Sequence, residues 1–428
     1  MTPSALRGEP AEDGATGARL APERRYTVVS ADAHAGGDIP DYRPYLASAW
    51  HDEFDAWAAS YVNPFADLLA PTAYRNWDSE RRLAENEADG IAAEVLFPNA
   101  VPPFFEQSSL VALPPTSADY GRRWAGLQAH NRWLADFCAK TPGRRAGVAQ
   151  VFVNKVEDAL AEIRWAADTF SPFAGILLPS TPPGSGLAHW WEPVYEPLWD
   201  LCEELGIVIN IHGGGGVPDY GEHEVARAIL LVELPWFSHR SAWHLIFGGV
   251  LERHPSLRIV LTEQGLAWIP RGLETLDWFY GRMIHGGAAE ANFFGAAAKG
   301  MSLTPSEYFA RNFHVGASFL RSSESALRHD VGIERIMWGA DYPHSEGSYP
   351  YSTLALRAAF GGCDPAEVLR MVEVNAADLY GFDLEALRAV GERIGPTVAE
   401  VAVPLDVEDY PTDSTCNAFD AHQVLRSW

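Results

Sequence analysis

Residues 207–216 read IVINIHGGGG. A β-branched run that ends in His212 and then gives way to four glycines describes a strand that delivers one polar side chain at its C-terminal end. The glycines that follow leave room for a backbone to come close to a ligand. The same grammar recurs along the chain, in apolar runs at 26–31 (YTVVSA), 93–97 (AEVLF), 147–153 (GVAQVFV), 175–178 (GILL), 207–211 (IVINI), 257–262 (LRIVLT), 313–317 (FHVGA) and 335–339 (RIMWG). Between these runs lie stretches of helical period, among them 156–168, 197–205, 241–253 and 322–330. Strands alternating with helices predict a parallel sheet, and eight repeats predict its closure into a (β/α)₈ TIM barrel.

The 428 residues are 47% hydrophobic and include 15 Trp, 15 Tyr and 20 Phe, enough apolar surface for a sizeable core. With 32 Lys plus Arg against 57 Asp plus Glu, the formal charge of −25 repels phosphate backbones and anionic lipid, so a small molecule is expected as partner, without nucleic acid or membrane. No run of 18 apolar residues occurs; the most apolar stretch, 242–251, is too short to span a bilayer. Residues 1–25 lack the apolar block of a signal peptide and read as a flexible polar lead-in, so cytoplasmic residence is expected. Cys138, Cys202, Cys363 and Cys416 lie scattered, as reduced thiols. An aromatic-rich segment at 50–77 inserts after strand one, near the barrel mouth, as a hydrophobic cap or a substrate lid. After Gly381 the pattern fades. The expected organisation is therefore a lead-in over 1–25, a barrel over 26–382 and a C-terminal extension over 383–428, which packs on the barrel or on a second subunit.

Catalytic groups of such barrels sit at the C-terminal ends of the strands, so the polar residues there carry the chemistry. Strand one ends in Asp32-Ala33-His34, strand five in His212, strand six in Glu263, and strand eight in Asp341, followed by Tyr342, Pro343 and His344. The spacing of two in Asp32-x-His34 puts both side chains on one face of an extended strand. Carboxylates and imidazoles gathered at four strand ends suit a divalent ion such as Zn²⁺, Mn²⁺ or Fe²⁺.

Several stretches, VVSADAHAG, DGIAAEVLFPN, YEPLWDLCEELGIVINIHGGG, FGGVLERHPSLRIVLTEQGLAWIP, IMWGADYPHSEGSYP and NAADLYGFD, resemble the amidohydrolase-related metal-dependent enzymes that include aminocarboxymuconate semialdehyde decarboxylase and γ-resorcylate decarboxylase. The resemblance spans roughly residues 26–382. It implies a distorted (β/α)₈ barrel, a homodimer and one divalent ion at the mouth, held by Asp32, His34, His212 and Asp341. Zn²⁺ is the preferred ion, with Mn²⁺ and Fe²⁺ as alternatives. Two positions depart from the better-known decarboxylases. Asp32 stands where many relatives carry the first His of His-x-His, and Glu263 stands where they carry a proton-donating His.

A divalent ion can lower the pKa of its bound water to about 7, and the resemblance implies that Asp341 both holds the ion and accepts a proton. Glu263 is either a general acid or base facing the substrate, or a further ligand or an acceptor for a ligand imidazole. His344, Asn99 and Trp268 are candidate substrate contacts, each with a structural alternative: loop support for His344 and packing for Trp268. Arg75, Arg81 and Arg82 could clamp a substrate carboxylate, although local ion pairs with Glu80, Glu85 and Glu87 are the simpler use. Because a carboxylate at position 263 suits water activation, the sequence alone places metal-dependent hydrolysis of an amide, lactone or related carbonyl first. Nonoxidative decarboxylation of an aromatic or unsaturated carboxylic acid on the same scaffold is the alternative, ahead of a barrel with a structural metal only.

Overall fold

Eight parallel strands pair in the order in which they occur in the chain: β1 (Val28–Ala35), β2 (Ile91–Pro98), β3 (Arg145–Gln150), β4 (Phe173–Leu177), β5 (Val208–His212), β6 (Arg258–Thr262), β7 (Phe313–Ser318) and β8 (Ile336–Gly339). This computed structural model describes residues 20–63, 66–99, 101–106, 112–179, 181, 183–221 and 223–420. Each strand falls on one of the eight apolar runs. β1 is longer than expected: it continues through Asp32 and His34 to Ala35, with a register shift against β2 between Ser30 and Ala33.

Inside the barrel, Val29, Ala31, Val95, Val148, Val208, Val260 and Met337 form one buried cluster, while alternate strand residues face the surrounding helices. This two-sided burial is why the strands read as near-continuous apolar runs. The seam between β8 and β1 closes just beyond β8, where Asp341 N–H donates to Asp32 O at 2.9 Å and His34 N–H donates to Tyr342 O at 2.7 Å. The closing bonds therefore belong to the same residues whose side chains the sequence singled out.

A buried ion network braces that seam. Arg82, on the helix Ser79–Ala88, donates to both oxygens of Glu94 at 2.8 Å and to His34 O at 2.6 Å, and Arg145 donates to Glu94 Oε1 at 3.1 Å. Removing one partner from such a buried group costs about 3–5 kcal/mol, because the remaining charge has no water. Arg75 pairs with Glu85 at 2.9 Å and Arg81 with the same carboxylate at 3.9 Å. None of the three arginines is placed as a substrate clamp; local pairing takes them all.

The helices expected at 156–168 and 197–205 are Val156–Thr169 and Glu196–Glu204. Two others differ. The helix expected at 241–253 begins at Glu224 and runs to Phe247, and the Gly248-Gly249 pair separates it from Val250–Arg253. The stretch 322–330 forms two short helices, Ser322–Ser325 and Arg328–Val331. In the aromatic insertion, the helix His51–Ser60 buries Phe54, and Trp50 and Trp57 lie 6.0 and 5.9 Å from the Phe104 ring. This packing gives the segment a buried apolar side; its residues 64–65 lie outside the described residues.

The lead-in and the tail are more ordered than composition suggests. Residues 1–19 and 421–428 lie outside the described residues. From Leu20 onward, however, the lead-in pairs with the tail, with Val398 N–H donating to Arg24 O at 2.8 Å and Ala399 N–H to Pro22 O at 2.9 Å. The extension carries an amphipathic helix, Leu384–Ile394, capped by the Asp383 side chain, and it packs on the barrel. No helix among the described residues is long and apolar enough to cross a membrane.

Candidate metal centre and active site

Asp32 and His34 project from one face of β1, His212 ends β5, Glu263 follows β6 directly, and Asp341 lies two residues past the end of β8. Both of the latter hold a left-handed backbone, φ 55° in each, although neither is glycine. L-residues adopt that region at a cost, and such strain collects at functional sites. Here it turns two carboxylates back over the mouth. Glycine makes room for Asp32 and for the Glu263 backbone at two close approaches: a Cβ on Gly339 would lie 2.6 Å from Asp32 Cβ, and one on Gly213 would lie 2.6 Å from Glu263 O.

The donor atoms converge. His34 Nε2 lies 3.4 Å from Asp32 Oδ1 and 3.1 Å from Asp341 Oδ1; His212 Nε2 lies 3.5 Å from Asp32 Oδ1 and 3.4 Å from Glu263 Oε2. The outer atom of each ligand candidate is anchored. His34 Nδ1–H donates to Pro98 O at 3.3 Å, and His212 Nδ1–H donates to Gly213 O at 2.9 Å. A carbonyl can only accept, so in the neutral rings the proton sits on Nδ1 and the Nε2 lone pair faces the cluster. Ser318, at the end of β7, donates to Asp32 Oδ2 at 2.5 Å and leaves Oδ1 facing inward.

Those inward atoms are Asp32 Oδ1, His34 Nε2, His212 Nε2 and both oxygens of Asp341, all buried without an aligned hydrogen bond. Buried polar atoms are nearly always satisfied. Five acceptor atoms that face one another with no proton donor among them fit a divalent ion bound by oxygen and nitrogen. Asp32, His34, His212 and Glu263 each offer an atom within 4.8 Å of the others, and Asp341 joins through His34 and His344. The residues therefore fit the ion that the sequence led us to expect, with Glu263 as an additional donor.

Charge is distributed unevenly. Burial opposes ionisation of Asp32, but the neighbouring imidazoles of His212 and His34 hold its carboxyl well below the usual carboxylate range. Burial similarly opposes ionisation of Asp341, and His344 with His34 lowers it. Glu263 goes the other way: burial lifts its carboxyl to about 8, with Asp341 and Asp32 adding to the rise against the pull of His212. Burial would depress the His344 imidazole, yet Asp341 raises it to about 10.

Of the expected substrate contacts, His344 and Asn99 meet on one side of the cluster. His344 Nδ1 lies 2.9 Å from Asp341 Oδ1, its Nε2 lies 3.0 Å from Asn99 Oδ1, and its ring stacks on His34 at 4.1 Å. Asn99 donates in turn to Asn76 Oδ1 at 2.5 Å, so the far end of the aromatic insertion braces this side. Trp268 lies on the opposite side, buried and stacked on His239 at 4.0 Å. That stack forms part of the wall of a cavity of about 200 Å³ that also includes Glu263, Phe319, Arg321 and Asn417. Sequence reasoning did not single out Ser318, Asn76, Arg321 or Asn417. A serine at the end of a strand run was the one legible signal among them.

A family model described as Amidohydrolase matches residues 43–382, most of the barrel and all the strand-end residues after β1. The chain belongs to the amidohydrolase family. Among curated members, it is 26% identical over 264 residues to the γ-resorcylate decarboxylase of Rhodococcus jostii (strain RHA1), covering 59% of this chain and 75% of that protein. It is 26% identical over 276 residues to the 2-amino-3-carboxymuconate-6-semialdehyde decarboxylase of Dictyostelium discoideum, covering 63% and 68%. Among solved structures, the 5-carboxyvanillate decarboxylase of Novosphingobium aromaticivorans DSM 12444, with bound manganese and 3-methoxy-4-hydroxy-5-nitrobenzoic acid, superposes with a TM-score of 0.62 at 21% identity, covering 85% of this chain and 99% of that one. That likeness shows the shared barrel fold.

Proposed function

We propose that this chain is a nonoxidative decarboxylase of an aromatic or unsaturated carboxylic acid. The observation that carries the reading is that two curated relatives, each similar over about three fifths of the chain, are both decarboxylases. They support the alternative of the sequence analysis over hydrolysis, which had rested on the carboxylate at position 263.

Asp32, His34, His212 and Asp341 would hold the ion, with Glu263 beside them. When bound, the ion supplies Lewis-acid stabilisation of negative charge on the substrate oxygens. The set is richer in carboxylate than a His-x-His site, which shifts the preference from Zn²⁺ toward Mn²⁺; manganese is the ion bound in the 5-carboxyvanillate decarboxylase structure.

Loss of carbon dioxide leaves an electron pair on carbon, and that carbon must take a proton. Glu263 both faces the cluster and lines the cavity, so it is the carboxyl group placed to carry this proton to substrate. His344, fixed between Asp341 and Asn99, holds positive charge on the opposite side. Trp268 on His239 offers a flat surface for a ring.

The test is product analysis with manganese-loaded protein in deuterated water, using 2,6-dihydroxybenzoate and 5-carboxyvanillate as first probes within a panel of aromatic acids, amides and lactones. Carbon dioxide release with deuterium on the former carboxyl carbon is expected. Incorporation of oxygen from labelled water, with turnover of amides or lactones and no carbon dioxide, would return the assignment to hydrolysis.

A further inference from the structure

β3 ends at the mouth in Gln150, the polar residue inside the apolar run GVAQVFV. Ala146 and Val148 belong to the cluster inside the barrel and Ala149 to a cluster outside it, so alternation turns the Gln150 side chain inward. Its backbone is clamped from the other side. Asn131, on the helix Tyr120–Ala139, accepts from the Gln150 N–H at 3.0 Å and donates to Gln150 O at 2.9 Å, and Glu162 accepts from the same Asn131 amide at 2.8 Å. The register of β2 with β3 sets Leu96 opposite Gly147; carried three residues further, it sets Gln150 beside Asn99, whose Oδ1 lies 3.0 Å from His344 Nε2. Gln150 is therefore one strand further round the mouth from the His344 side of the cluster.

Nothing engages its amide. Gln150 is 2% exposed, and neither Nε2 nor Oε1 has a hydrogen-bond partner among the described residues. Buried amides left in this state are costly and rare. The side chain forms part of the wall of a pocket of about 30 Å³ between the loops after β2, β3 and β4, with Phe105, Leu127, Phe152 and Leu177 as apolar sides. The other amide side chain on that wall, Asn154, is engaged, donating to Pro115 O at 3.1 Å. No charged side chain lines the pocket among the described residues. Its volume admits about two water-sized groups, so it takes a substituent and not a ring. Pro179, which follows β4, is common to this pocket and to the space beside His212, placing the two side by side. An amide both donates and accepts, and so does an uncharged hydroxyl; a second carboxylate would enter these walls without a counter-charge.

We propose that Gln150 is a specificity-determining residue, whose amide and apolar pocket bind an uncharged hydroxyl substituent of the substrate, apart from its reacting carboxylate. The inference rests on the decarboxylase reading for the aromatic acid, and its test reads binding so that the two can fail separately.

The experiment is calorimetric titration of the full-length, manganese-loaded protein with 3- and 4-hydroxybenzoate and with 3- and 4-methylbenzoate, in which a methyl group replaces the hydroxyl at nearly equal size. Metal content and the denaturation midpoint are measured for each variant. A buried hydrogen bond predicts that at least one hydroxy acid binds about tenfold or more tighter than its methyl counterpart. In Gln150→Met that preference disappears, while metal content is unchanged and the methyl acids bind no more weakly; Gln150→Leu gives the same pattern. The midpoint of the unliganded variants does not fall, because an amide without partners has none to lose, whereas an amide that merely supports the fold would lower it on removal. Equal affinities within both pairs, a preference that survives Gln150→Met, or a lowered midpoint in both variants each overturns the proposal. Carbon dioxide release without any hydroxyl preference removes Gln150 from this role and keeps the reaction; the preference and its loss in Gln150→Met, without carbon dioxide release, count against the reaction and leave Gln150 in its role.

Discussion

Asp341→Asn should lower turnover of the true substrate by at least about 10²-fold, because it removes a charged donor proposed for the ion on which the reaction depends. The substitution keeps the shape of the side chain and tolerates the left-handed backbone at this position, since Asn enters that region more readily than most residues. What it removes is charge. Asp341 Oδ1 faces His34 Nε2 at 3.1 Å and His344 Nδ1 at 2.9 Å, so an amide there no longer balances either imidazole. Steady-state kinetics beside circular dichroism and a chemical-denaturation midpoint check this: turnover collapses with the fold retained, and the midpoint falls because the mostly buried His344 imidazole loses the carboxylate that balances it. Near-normal turnover in Asp341→Asn would remove Asp341 from the site.

Glu263→Gln separates the two roles open to that residue. With Asp32, His34, His212 and Asp341 still present, the variant should retain its metal and lose about 10²–10⁴-fold in turnover, because a carboxamide cannot carry the proton. Metal content and kcat measured on one preparation decide the matter. If the metal is lost together with activity, Glu263 serves chiefly as a ligand; if both are retained, it serves neither purpose. The left-handed backbone at Glu263 gives the experiment its force, since the chain maintains strain there to aim this side chain at His212 and the cavity.

The barrel was legible because parallel strands buried on both faces leave near-continuous apolar runs, and each of the eight runs became a strand. The cluster was legible for a related reason. Strand ends of a closed barrel meet at one mouth, so His212, Glu263 and Asp341 could be grouped without knowing a distance. The supporting partners were not. Ser318 and Asp32 are 286 positions apart, and His344 and Asn99 are 245 apart, so no local period links them. The extension was expected to pack on the barrel or on a second subunit, and it packs on the barrel; what an acidic, proline-containing stretch could not show was the contact of Asn417 with Arg321. Among the arginines before β2, Arg82 was ambiguous for the opposite reason: its partner Glu94 sits inside the run AEVLF, where a lone acid among apolar residues is easily passed over. The order of hydrolysis and decarboxylation could not be read from residue types, since two carboxylates beside one ion serve either reaction; the relatives changed it.

The central claim is that the buried, unpartnered atoms of Asp32, His34, His212 and Asp341 are the donor set of a single divalent ion. Elemental analysis of the purified, reconstituted protein after dialysis tests it most directly, with His212→Ala as the control. The account predicts one equivalent of divalent metal per chain in the unaltered protein and its loss from His212→Ala, with the fold intact by circular dichroism. No bound metal in the unaltered protein, or a full equivalent retained by His212→Ala, would contradict it.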